Sequence, residues 1–148
     1  MSDRRAVSTT LSYVLSLAIA TVLITGLILA GGGYIDSQRE QVIRDELIVT
    51  GQQLAADIER VDRLVRAGNT SSVTVTMNRS FSNRVTGASY QLTVMPGAQT
   101  LVLNTTRPEV IVRVGLASET DLGKSQVRGG EIQIEYNQSR EHLEVRDV

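Results

Sequence analysis

"AGGGYIDSQREQVIRDELIVTGQQLAADIERVDRLVRA", residues 30–67, decides the fold, because it continues an uncharged run into an amphipathic one without a proline. Within it Ile43, Leu47, Leu54, Ile58, Val61 and Val65 recur at steps of three and four or their sum, with Gly51 at the skipped position. That spacing predicts a helix with one packed stripe. Arg39, Glu40, Arg44, Asp45, Glu46, Asp57, Glu59, Arg60, Asp62 and Arg63 fall on the other faces and read as solvated. Gly68-Asn69 supplies the stop.

Upstream, no charged side chain occurs from Ala6 through Ile35, and Leu11–Ala30 alone is 20 residues, about 30 Å of helix and enough to cross a bilayer core. With no proline between Val7 and Ala67, one helix of about 90 Å is possible. Gly31, Gly32 and Gly33 each weaken it by about 1 kcal/mol relative to alanine, so they are the expected hinge.

Beyond Ser71 the texture turns to β. The segments 71–77, 89–95, 100–104, 109–115, 131–136 and 142–146 alternate as short strands, and Pro96-Gly97-Ala98-Gln99 reads as a hairpin turn. The fold class is therefore α+β: a long N-terminal helix, with a membrane half (7–35) and an amphipathic half (36–68), followed by a small antiparallel β head (69–148). The apolar face of the head covers the amphipathic half most economically.

Composition narrows the function. The 148 residues contain no cysteine and no tryptophan, and only one phenylalanine, so disulfides are excluded and a lean aliphatic core must lean on the preceding helix. Fifteen basic and 16 acidic residues are interspersed, which leaves no basic footprint for nucleic acid. His142, the single histidine, reads as a solvated strand-end residue, because a metal site needs more soft or imidazole ligands than this chain offers. Asp57 and Glu59 point to different helix faces, Glu131 and Glu135 form a solvated strand edge, and Gly31–Gly33 lacks the Lys-Ser/Thr of a phosphate loop. No nucleophile has a base beside it. An enzyme, a cofactor, a metal and a small-molecule substrate are not expected.

Three readings of the N-terminus remain open: a discarded secretory signal, an anchor that stays whole, or a processed helix. "RRAVSTTLSYVLSLAIATVL", residues 4–23, resembles the N-termini of archaeal type IV pilin-like proteins, especially haloarchaeal ones, which carry a class III signal peptide. The resemblance covers roughly the first 30 residues. It lacks the proline that many haloarchaeal pilins carry after Ala-Val-Ser, since Thr9 stands there instead. It implies a cleavable leader at 1–6, with Arg5 as the basic position, Ala6 before the cut and Val7 as the new N-terminus, made by a prepilin peptidase. It further implies a pilin lollipop whose helix packs with other pilin-like subunits, in homo- or hetero-assembly. Ser8, Ser12, Ser16 and Ala20 at i, i+4 spacing, extended by Gly26 and Ala30, supply small residues that let helix backbones approach in lipid or in a filament core.

Flanking charge does not orient the segment: Arg4 and Arg5 on one side are matched by Arg39 and Arg44 on the other. Four of the five asparagines, Asn69, Asn78, Asn104 and Asn137, begin N-x-[ST] sequons, at predicted strand edges or loops, and glycosylation there would put the head outside. The expectation is a structural subunit of a surface filament, membrane-held with an extracytoplasmic head. The alternative is a single-pass, membrane-anchored β-domain protein that binds a partner and does not polymerise. The expected partners are membrane lipid, the peptidase and other subunits.

Overall fold

A computed structural model describes residues 3–68 and 74–148 and, in the first of these segments, side chains from Thr10 onward. One helix, α1, covers Asp3–Ala67, and it closes with Gly68 N donating to Leu64 O at 3.0 Å. The strands follow as β1 (Thr76–Ser80), β2 (Arg84–Val85), β3 (Ala88–Met95), β4 (Thr100–Thr106), β5 (Glu109–Gly115), β6 (Asp121–Leu122), β7 (Ser125–Arg128), β8 (Glu131–Asn137) and β9 (His142–Asp147). The expected order of a long helix and then an antiparallel β domain is what forms. Two compact units result, Met1–Arg39 and Glu40–Val148.

The second unit contains the core. Among the described residues, seven of its 22 buried hydrophobic side chains come from α1, namely Ile43, Leu47, Leu54, Ala55, Ile58, Val61 and Val65, so the described head draws about a third of its interior from the helix. All six residues of the predicted stripe are buried. Gly51 fills the skipped step for a steric reason: a Cβ there would stand 2.7 Å from Val114 Cγ2 and 2.9 Å from Leu103 Cδ1. Sheet and helix touch backbone to side chain at this point.

Expectation and structure differ in the sheet. Among the described residues two sheets form in place of one, β1-β8-β9-β6 and β2-β3-β4-β5, with β7 also pairing with β3. The chain is redirected between them at Gly129-Gly130, where Gly130 has φ 142 and a Cβ on Gly129 would lie 2.4 Å from the Tyr90 ring. Among the described residues all pairs are antiparallel except the two-residue β6–β9 contact, which is parallel. β2, β6 and β7 are too short to announce themselves by alternation. The strand expected over 71–77 lies at Thr76–Ser80, set by its register with β8 (Thr76 opposite Glu135, Ser80 opposite Glu131); residues 71–73 lie outside the described residues. The predicted turn at 96–99 is a 3-10 turn capped by Gln99 in the left-handed region at φ 44, and β3 and β4 pair across it from Met95–Thr100 to Tyr90–Thr105.

Candidate functional site: the uncharged helix

From Thr10 to Gln41 every residue of α1 is exposed. The apolar ones include Leu15, Leu23, Ile24, Leu27, Leu29 and Ile35, each between 58% and 73% exposed. Water would oppose such a surface at about 25 cal/mol per Å² of apolar area. The helix is long and apolar enough to cross a membrane by length and composition, and none of its most apolar window is buried within the chain. Two of its hydroxyls are satisfied inside the helix, which suits an apolar medium: Thr21 Oγ1 donates to Leu17 O at 2.8 Å and Thr25 Oγ1 to Thr21 O at 2.8 Å. The backbone is satisfied in the same way, as a lipid-facing segment requires.

On an ideal helix Ser12, Ser16, Ala20, Gly26 and Ala30 fall within a sector of roughly 120°. Ile19, Leu23 and Leu27 fall in the same sector. The small residues therefore alternate with large ones, giving holes and knobs along the stripe. Gly31, Gly32 and Gly33 lie inside the uninterrupted helix with open space around each. Arg5, Ala6, Val7 and Ser8 are in the first turns of α1, with side chains outside the described ones.

The sequons do not share one setting. Asn69 lies outside the described residues. Asn78 is inside β1, at the edge of its sheet, where its Oδ1 accepts from Gln133 Nε2 at 3.0 Å. Asn104 is not at an edge or in a loop: it lies within β4, between Gln91 of β3 and Ile111 of β5. Asn137 closes β8, with Oδ1 accepting from Ser139 N at 3.1 Å and Arg140 N at 3.2 Å.

Two carboxylates read as solvated are buried. Asp57, 3% exposed, accepts a bidentate pair from Arg79, Nε to Oδ2 at 2.6 Å and Nη2 to Oδ1 at 2.8 Å, which fastens β1 to the helix. Asp62, 2% exposed, takes Thr120 N at 2.8 Å and Arg66 Nε at 3.1 Å. Burial works against ionisation of Asp62, yet hydrogen bonds from Thr120 and the Glu119 backbone, with the Arg66 charge, hold its carboxyl below its ordinary value of 3.8. The signal was present in the sequence: with Leu54 at the stripe's centre, Asp57 and Asp62 lie about 60° and 80° to either side, at the seam and not on the far face. Glu59, farther round, reaches Ala117 N at 3.0 Å.

His142, read as solvated, is half-buried. Its side chain is 18% exposed, and its Nε2 lies 2.6 Å from Glu144 Oε1. Arg146 pairs with both Glu144 and Glu135. The Arg146 guanidinium, against partial burial and helped by His142, holds the Glu144 carboxyl below the usual range.

A long, exposed, uncharged N-terminal helix joined to an antiparallel β domain defines a class compatible with a membrane-anchored, pilin-like protein. Within that class, the family described as "Family of unknown function (DUF7266)" matches residues 2–146, and the chain belongs to it. No curated protein and no solved structure matches.

Proposed function

We propose that this chain is a structural, non-catalytic subunit of an archaeal type IV pilus-like filament. A prepilin peptidase cuts between Ala6 and Val7, lipid holds the helix over 7–35, and other subunits then replace lipid around it while the β head stands outside the cell. The observation that carries this reading is the continuous exposed surface from Thr10 to Ile35, uncharged throughout, on the same helix whose later half is sealed into the head. A cut ahead of that surface removes Arg4 and Arg5 and leaves an apolar end able to enter a helix bundle. The alternation of Ser12, Ser16 and Ala20 with Ile19, Leu23 and Leu27 supports helix-to-helix packing. The resemblance of residues 4–23 to archaeal pilin N-termini supports the position of the cut.

The test is N-terminal sequencing of the protein from its own cells, with Arg5→Ala and Ala6→Leu variants beside it. A mature start at Val7 that both substitutions abolish is expected. A start at Met1 or Ser2 would leave an unprocessed anchored protein and refute the proposal.

A further inference from the structure

β5 is the last strand of its sheet: β4 pairs along one side of it, and among the described residues nothing pairs along the other. The parity of its backbone is set by two bonds. Leu116 N donates to Gln99 O at 3.0 Å, and Val110 N to Thr105 Oγ1 at 3.2 Å; residue numbers in both pairs follow the β4–β5 register. Val110, Val112 and Val114 therefore direct their amides and carbonyls to β4, and Glu109, Ile111 and Arg113 direct theirs outward. The side chains of these three outward residues are exposed. Open strand edges are ready templates for another strand, and proteins blunt them with charge. Here the two charges are of opposite sign and flank one exposed aliphatic residue.

That arrangement is self-complementary. Two copies of β5 placed antiparallel about a two-fold axis at Ile111 set Glu109 opposite Arg113 at both ends, Val110 opposite Val112 on the core side, and Ile111 opposite itself. All the outward amides and carbonyls then meet as hydrogen-bonded pairs. Gly115, with open space around it, falls opposite Arg107 and leaves room for the neighbouring Arg107-Pro108 turn. Shifting the axis to Val112 would keep the backbone parity but place Ile111 against Arg113 and lose both ion pairs. Neither Glu109 nor Arg113 has an ion pair within the chain among the described residues. We infer that the outer edge of β5 is a homotypic docking edge, which takes the same strand of a second copy in the register centred on Ile111. This surface lies on the head, and it holds whether or not the N-terminal helix is processed or polymerises.

The chain has no cysteine, so single cysteines can test the register in the full-length protein, in native membranes. Paired residues of this kind have Cα atoms about 5.5 Å apart, within disulfide reach. Ile111→Cys should form a disulfide-linked dimer under mild oxidation. Met95→Cys, exposed on β3 and away from the edge, reports random collision and should form little. In the Ile111→Cys background, Glu109→Arg or Arg113→Glu puts like charges opposite each other twice and should cut the dimer yield about tenfold, and the double exchange should restore it. All these side chains are exposed, so folding is spared, which unchanged thermal unfolding of each variant checks. Dimer from Ile111→Cys no greater than from Met95→Cys, or yields indifferent to the charge exchange, would overturn the inference.

Discussion

Gly51→Ala tests the contact between helix and sheet through the sign of its effect. On helix propensity alone the change stabilises by about 1 kcal/mol, since glycine is the poorer helix former. In this fold the new methyl would lie 2.7 Å from Val114 Cγ2 and 2.9 Å from Leu103 Cδ1. Leu103 ends in a flexible tip, but Val114 is β-branched and stiff at χ1. Overpacking of this kind costs about 1–3 kcal/mol, so Gly51→Ala should be neutral to destabilising by about 2 kcal/mol. Gly51→Val, with two further carbons aimed at the same neighbours, should cost about 3 kcal/mol or more. The decisive variant is Gly51→Ala in a Val114→Ala background: with the stiff neighbour removed, the propensity gain of about 1 kcal/mol should reappear. Hydrogen exchange of the β4 and β5 amides in the detergent-solubilised full chain reads these differences as opening free energies. If Gly51→Ala stabilises equally in both backgrounds, the helix and sheet do not meet at Gly51, and the basis for the stripe's skipped position is wrong.

Acid should loosen the head through Asp62. Its carboxyl is held below its ordinary value of 3.8, so the unfolded state binds the proton more tightly. The stabilisation is complete above that ordinary value and is lost as pH falls below it. Asp62→Asn should lower the thermal midpoint at neutral pH and flatten its decline between about pH 5 and pH 2; an unchanged decline would refute the role. Arg79→Gln leaves Asp57 buried without its guanidinium, so amides of β1 should exchange faster, and adding Asp57→Ala should recover part of the loss. Leu23→Arg places a charge in the uncharged helix at a cost of about 3 kcal/mol for insertion. It should move protein out of the membrane fraction in a flotation assay while the head's unfolding stays unchanged.

Much of this fold is legible in the sequence because its two periods are clean. The stripe from Ile43 to Val65 and the alternation in 89–95, 109–115 and 131–136 each place their residues on the observed faces. Where sequence and structure part, the cause is shared: a polar side chain need not be exposed when a partner satisfies it. Asp57 and Asp62 are polar and buried because Arg79 and Thr120 satisfy them from other elements, and no local window contains those partners; His142 is half-buried against Glu144, two residues on in the same strand. The division into two sheets was equally hidden, since it depends on Gly130 at positive φ and on the Tyr90 ring lying against Gly129. The uncharged helix is visible from composition alone, whereas the position of its bulky residues among the small ones depends on the whole helical sector from Ser12 to Ala30. The open β5 edge could not be read at all until strand order was known, although Glu109, Ile111 and Arg113 stand in plain alternation.

The proposed function turns on one bond. Intact mass of the protein extracted from the membranes of its own cells, with peptide sequencing of its N-terminus, reads that bond directly. A chain beginning at Val7, lighter by residues 1–6, is the predicted result; a chain that retains Arg4, Arg5 and Ala6 would contradict it.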